Sequence, residues 1–234
     1  MASTTSIRGG FYPFPDAVTR WAWWSRHVWF ARCGCPVGQP YRDLVALLRD
    51  RDHFVLTTNV DHQFQRAGIE RERLFYTQGD YGLWQCSVPC HDKTYDNYEV
   101  VRQMVELQAD LHVPEELVPR CPRCGAEMSM NLRADSTFVE DAGWHAAAGR
   151  YQDFLDAHAG SRVVLLEIGV GNNTPGIIKY PFWQLAAQNP RATYAQVNAM
   201  ESLAPAVLAD CAILIRDDAA KVISGLRAKL AEGA

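Results

Sequence analysis

Apolar positions along this chain follow two rhythms. Short unbroken runs predict strands, and i, i+3, i+4 spacings predict helices. Asp16 stands ahead of "AVTRWAWWSRHVWF" and predicts a capped helix through Arg26 or beyond. Its aromatic load (Trp21, Trp23, Trp24, Trp29) is expected in the core. Leu44, Leu47 and Leu48 give a second, amphipathic helix over 41–49. A strand over 54–58, a helical segment over 62–67 ended by Gly68, and a strand over 74–77 follow. Past Asp80 the strand–helix rhythm stops until about Val139. "VVLLEIGV", 163–170, resumes it in the pattern of a parallel strand buried on both faces. Strands over 192–198 and 211–216, then a helix over 218–230 capped by Asp217, complete the reading.

Polar groups collect where these strands end. The first runs into Thr57, Thr58 and Asn59, with Asp61 just beyond. The second delivers Gln78 and Gly79, and the long apolar run ends in Gly169, Val170, Gly171, Asn172, Asn173 and Thr174. Open α/β sheets bind ligands in the crevice outside the carboxyl ends of their strands. These loops are therefore the candidate binding edge, with Asn198 ending a further strand. Plainer readings stand beside this one. Asn and Asp after a strand commonly cap the next helix, and a lone G-x-G also suits an ordinary loop.

Charge and cysteines narrow the picture. The net charge is −4 and no run of Lys or Arg appears, which argues against nucleic acid as the main partner. No apolar run approaches the roughly 18 residues of a membrane span. The first residues lack an apolar signal core, so a cytoplasmic protein is expected. There, cysteines at short spacing favour metal over disulfide. Cys86-x₃-Cys90 and Cys121-x₂-Cys124 form two knuckles, with Pro122 and Gly125 suited to a tight turn. Four thiolates satisfy tetrahedral Zn²⁺ completely, leave no open position, and so predict a structural site. His91 adjoins Cys90 as a substitute ligand, whereas Cys33-Gly34-Cys35 reads as surface thiols in a turn. The expected divisions are 1–79 and 141–234 as two parts of one Rossmann-like domain, with 80–140 as an inserted zinc-binding lobe.

Taken together, these residues resemble the sirtuin (Sir2) family. Thr57-Thr58-Asn59-Val60-Asp61 is similar to the family's T-Q-N-x-D, and Gln78-Gly79 stands where sirtuins have H-G. "TTNVDHQF…LFYTQGDYG…QCS…C" resembles the class M branch, the macrodomain-linked protein ADP-ribosyltransferases. The likeness runs from about Phe11 to the C-terminus. It implies an NAD-binding parallel sheet and a structural zinc on the four cysteines. It assigns Asn59 and Asp61, with Thr58, to the nicotinamide-side ribose and carboxamide. Gly169-Val170-Gly171 then matches the G-T-S cofactor loop, and Asn198 the adenosine ribose. Gln78 replaces the catalytic histidine, and an amide has no useful pKa with which to act as a general base. Nicotinamide release needs positioning and electrostatics and survives that change. The implied outcome is transfer of ADP-ribose to a nucleophile. Phe64 replaces a second family histidine. His62 is expected to point away from its helix neighbour Asp61. The implied acceptor is a lipoylated carrier akin to glycine-cleavage H protein, with a macrodomain hydrolase in opposition. The alternatives are a sirtuin deacylase with an unusual relay, and a zinc-stapled binding module without cofactor affinity.

One departure shapes the fold expectation. Sirtuins open with a strand leading into a G-A-G-x-S loop and a helix, whose N-terminus holds a pyrophosphate. Here Gly9-Gly10 leads into Phe11-Tyr12-Pro13. In the order 3-2-1-4-5-6 that first strand is central. The expected sheet is therefore incomplete at its N-terminal part. The strands at 54 and 74 are separated from that at 163 by two strand spacings, ~10 Å, with unpaired inner edges. Three explanations present themselves: a truncated product, which is favoured, a strand supplied by another polypeptide, or direct closure of the sheet.

Overall fold

The computed structural model describes residues 9–171 and 175–232. They form two compact units woven from alternating stretches of chain. One comprises the residues up to Pro36, Asn59–Arg66 and Tyr76–Ala146; the other comprises Val37–Thr58, Ala67–Phe75 and the residues from Ala147 onward.

In the first unit, helix α1 (Ala17–Val28) starts where the Asp16 carboxylate accepts the Thr19 N–H at 2.8 Å. Satisfying an otherwise orphaned amide fixes the helix start. α1 buries Trp21, Ala22, Trp24 and Val28, while Trp23 and Trp29 are only half-buried. The helix then widens into a π-helical turn, Trp29–Gly34. Cys33 lies in that turn, not in the loop expected from Cys33-Gly34-Cys35, because the helix continues further than its sequence punctuation suggests. Where the strand–helix rhythm breaks off, the chain builds a three-stranded antiparallel sheet. Strand β3 (Gly79–Cys86) lies between β4 (Tyr95–Asp96) and β5 (Met128–Leu132). Trp84 of β3 meets Trp21 edge-on at 5.2 Å, and helix α4 (Tyr98–Leu107) adds Val101 and Met104 to the same core.

The second unit holds the parallel sheet. Strands β6 (Val164–Ile168), β7 (Thr193–Val197) and β8 (Ala212–Ile215) lie side by side in that order, with Leu165 opposite Tyr194 and Tyr194 opposite Ala212. Helix α6 (Lys179–Gln188) packs Phe182, Trp183 and Ala186 against Leu165 and Tyr194. The expectation of burial on both faces is corrected here. Leu165 and Glu167 are buried, but Val164 is 67% exposed and Leu166 37%, because α6 covers one face only. Helix α2 (Gln39–Leu48) meets helix α7 (Ala219–Glu232), where Arg227 pairs with Asp43 at 2.5 Å. Asp218, not Asp217, accepts the Lys221 N–H at the start of α7, leaving Asp217 to pair with the Lys221 ammonium.

Strands β1 (Val55–Thr57) and β2 (Leu74–Tyr76) form a two-stranded sheet of their own. Tyr151 and Phe154, late in helix α5 (Ala142–Ala157), pack on Phe54, and Tyr151 also reaches Phe75. Among the described residues β1–β2 and β6–β7–β8 remain separate sheets, so the direct closure entertained from sequence does not occur.

Candidate active site and metal centre

The four knuckle cysteines converge. Their sulfur atoms all lie within 4.8 Å of one another, with Cys86–Cys124 and Cys90–Cys121 each at 3.6 Å. A tetrahedron with Zn–S bonds of about 2.3 Å has edges of about 3.8 Å, so the donor set fits zinc. Gly125 makes the second knuckle possible at φ +75°, and its N–H donates to the Cys121 carbonyl at 2.8 Å. Burial and the neighbouring sulfurs push the Cys90 thiol up to about 12. Against burial, backbone and cysteine hydrogen bonds instead pull the Cys121 thiol down to about 7, and thiolate ligation of a metal releases the protons the sulfurs carry. His91 is not needed as a ligand: Nδ1 lies 3.1 Å from the Cys90 sulfur and Nε2 lies 2.8 Å from the Tyr95 hydroxyl. The centre staples the end of β3 to the segment ahead of β5, a structural task.

Two loops lead out of β1 and β2. The first carries Asn59, which is exposed, and Asp61, which is half-buried and accepts the Gln63 N–H at 3.1 Å. That contact is the helix-start role open to an Asp after a strand, here for the short helix α3 (Gln63–Ala67). The second loop carries Gln78, half-buried, whose carbonyl accepts the Arg133 N–H at 3.1 Å. Gly79 follows at φ +90°, where an added Cβ would overlap the Asn131 carbonyl oxygen. Only glycine fits that crossing, which explains the second half of the Gln78-Gly79 pair.

Asp80 joins the two loops, a role the sequence reading missed. Its carboxylate is buried and meets His62 Nδ1 at 2.6 Å, Arg32 Nε at 2.6 Å and the Gly82 N–H at 2.6 Å. Burial opposes its charge, but the His62 hydrogen bond, the Arg32 charge and the Gly82 amide outweigh burial and hold the carboxyl below the usual range. The Tyr81 N–H donates to the Val60 carbonyl at 2.9 Å, a second stitch between the loops. His62 thus turns to Asp80 and sits at φ +62°, ahead of α3 and not within it. The signal available in sequence was an acidic residue between two glycines, Gly79-Asp80-Tyr81-Gly82.

The second unit presents the other expected residues. Thr58 closes β1 and is half-buried. Gly169, at φ +64°, donates its N–H to the Val197 carbonyl at 2.8 Å. Asn198 is buried, donates from Nδ2 to the Val170 carbonyl at 3.0 Å and accepts the Met200 N–H at 2.9 Å. It therefore shapes the loop that holds Val170. Gly171 is exposed, and Asn172, Asn173 and Thr174 lie outside the described residues. Beneath this loop sits an unforeseen polar cluster around Glu167, with Lys179, Tyr194 and Gln196.

The described residues thus give an α/β protein with a parallel sheet, polar strand-end loops and a four-cysteine lobe. No protein-family model matches the chain. It is 36% identical over 219 residues to a protein ADP-ribosyltransferase of Staphylococcus aureus, covering 93% of this chain and 70% of that protein. It is 29% identical over 184 residues to a probable bifunctional ADP-ribose hydrolase/ADP-ribosyltransferase of Fusarium oxysporum f. sp. cubense, covering 74% of this chain and 30% of that protein. Its fold matches a Sir2 homolog–NAD complex with a TM-score of 0.61 at 15% identity, over 93% of this chain and 73% of the other. A Sir2–peptide–NAD complex matches with a TM-score of 0.54 at 18% identity, over 82% and 70% of the two chains. The chain belongs to the family of that protein ADP-ribosyltransferase, and its fold is that of Sir2 proteins. Its chemistry is ADP-ribosyl transfer, and its cysteine cluster suits a structural zinc. No helix among the described residues is long and apolar enough to cross a membrane.

Proposed function

We propose that this chain moves ADP-ribose from NAD to a lipoylated carrier protein akin to glycine-cleavage H protein, in the cytoplasm, with a macrodomain hydrolase removing the mark. Bound NAD supplies a ribosyl carbon activated by its nicotinamide leaving group. Asn59 and Asp61 hold the nicotinamide-side ribose and carboxamide, with Thr58 beside them in sequence. Gly169, Val170, Gly171 and Asn198 hold the adenosine side. Gln78 orients the ribose hydroxyls through its amide and takes no proton from them. Residues 80–140 act as the zinc-binding lobe and the flanking segments as the cofactor domain.

The observation that carries this reading is the stitching of the Asn59–Asp61 loop to the Gln78 loop by His62–Asp80 and Tyr81–Val60. That stitching supports a reading in which the Gln78 amide, not an imidazole, works beside the Asn59–Asp61 loop. The test is calorimetric titration of the zinc-loaded protein with NAD, followed by transfer of labelled ADP-ribose to a lipoylated carrier. Micromolar binding and carrier labelling are expected, and Gln78→Ala should lower labelling at least tenfold. A Gln78→Ala protein that labels the carrier normally would remove the role given to Gln78. A second reading, a zinc-stapled binding module, is favoured by the separation of β1–β2 from β6–β7–β8. Absence of NAD binding in folded, zinc-loaded protein would select it.

A further inference from the structure

Gln78 leaves the transfer reaction without a proton acceptor, yet an acceptor X–H must lose its proton as it bonds to ribose. The loop bearing Asn59 ends in His62, whose Nδ1 lies 2.6 Å from the buried Asp80 carboxylate. Asp80 is in turn held by Arg32 at 2.6 Å. Arg32 belongs to the π-helical turn, and the Arg66 guanidinium fixes that turn by donating to the carbonyls of Arg32 and Cys35 at 2.7 and 2.6 Å. Gly82 leaves room for that contact, since a Cβ there would displace the Arg32 guanidinium. His62 adopts φ +62°, a costly conformation for a non-glycine residue and one that clusters at functional sites. Several groups are thus spent on holding one half-exposed imidazole. Its Nε2 has no partner among the described residues.

We propose that His62, oriented by Asp80 and Arg32, is the proton acceptor of the transfer step. The inference rests on the transferase reading above. An ionised carboxylate on Nδ1 keeps the proton there and leaves Nε2 as the basic nitrogen. As X bonds to the ribosyl carbon, the carbon–nitrogen bond to nicotinamide breaks and its electron pair leaves with nicotinamide. The X–H proton passes to His62 Nε2. The sum is NAD⁺ plus X–H giving ADP-ribosyl-X, nicotinamide and H⁺, with no redox change. The charged group on the imidazole is Asp80, itself paired with Arg32; Asp61 and Arg66 flank His62 in the chain, and Tyr81, which follows Asp80, meets His27 at 2.9 Å through its hydroxyl.

Two simple nucleophiles separate proton removal from everything else. Methanol must lose a proton on transfer, and azide is already an anion. With zinc-loaded protein and NAD, His62→Asn should lower methyl-ADP-ribose formation about a hundredfold or more. ADP-ribosyl azide formation should fall at least tenfold less. Parallel loss of both products in His62→Asn would reduce His62 to a structural residue and overturn the proposal. Unchanged formation of both would overturn it as well. Wild-type protein that forms neither product would instead overturn the transferase reading, and this inference with it. A readout without NAD stands beside these. ¹⁵N NMR of histidine-labelled wild-type protein should show the neutral His62 ring as the tautomer with its proton on Nδ1, the nitrogen that faces Asp80. The opposite tautomer would overturn the proposal even if the variant does not fold.

Discussion

Lys179 Nζ lies 3.3 Å from Glu167 Oε1, and both side chains are closed to solvent. The Tyr194 hydroxyl at 2.6 Å and Gln196 Nε2 at 2.9 Å donate to the same carboxylate. Removing one member of a buried pair strands the other charge, at a cost of about 3–5 kcal/mol. Lys179→Met should lower stability to urea by about that amount. The double variant Glu167→Gln/Lys179→Met should lose less than the two single changes combined, because no unpaired charge remains.

Gly79→Ala tests the strand-end crossing. The new methyl would meet the Asn131 carbonyl at a φ that alanine resists. A loss of about 2–4 kcal/mol in thermal unfolding is expected, since both strain and overlap contribute. NAD affinity, measured by calorimetry on the folded fraction, should fall too, because Gln78 is the preceding residue.

Cys121→Ser should empty the metal centre. Ligand loss converts metal-binding free energy into lost folding free energy. Zinc content by mass spectrometry should drop below one ion per chain, and limited proteolysis should cut between Cys86 and Met128 first. Retained stoichiometric zinc would contradict the four-cysteine assignment.

Asp80 links stability to pH. Its carboxyl is held below the ordinary range by His62, Arg32 and the Gly82 amide against the opposing effect of burial. A depressed carboxyl stabilises the fold fully above the unfolded value, near pH 4. That contribution is lost as pH falls through the lowered folded value. The stability difference between wild type and Asp80→Asn should therefore be largest above about pH 4 and shrink below it. A difference that grows with acidity would refute the linkage.

The parts legible in the sequence are those whose signal is local. Two knuckles announce four ligands by spacing alone, and Thr57–Asn59 marks a strand end by the switch from apolar to polar. His62 was not legible. Its partner Asp80 is 18 residues away, and helical spacing pointed the ring elsewhere. Lys179 was equally hidden, since a lysine reads as solvated until a buried carboxylate is known to face it. The apolar run at 163–170 promised two covered faces, and Val164 and Leu166 show that hydrophobicity alone does not reveal which layers a chain supplies.

Arg227 of α7 reaches back across 184 positions to Asp43 of α2. During synthesis at roughly 5–20 residues per second, α2 emerges roughly 10–40 s before its partner helix exists. The unit that closes at Ala146 has all its segments in hand well before then, including both cysteine knuckles. The order of emergence therefore favours a zinc-loaded first unit maturing on the ribosome, while the unit with the parallel sheet waits with α2 uncovered.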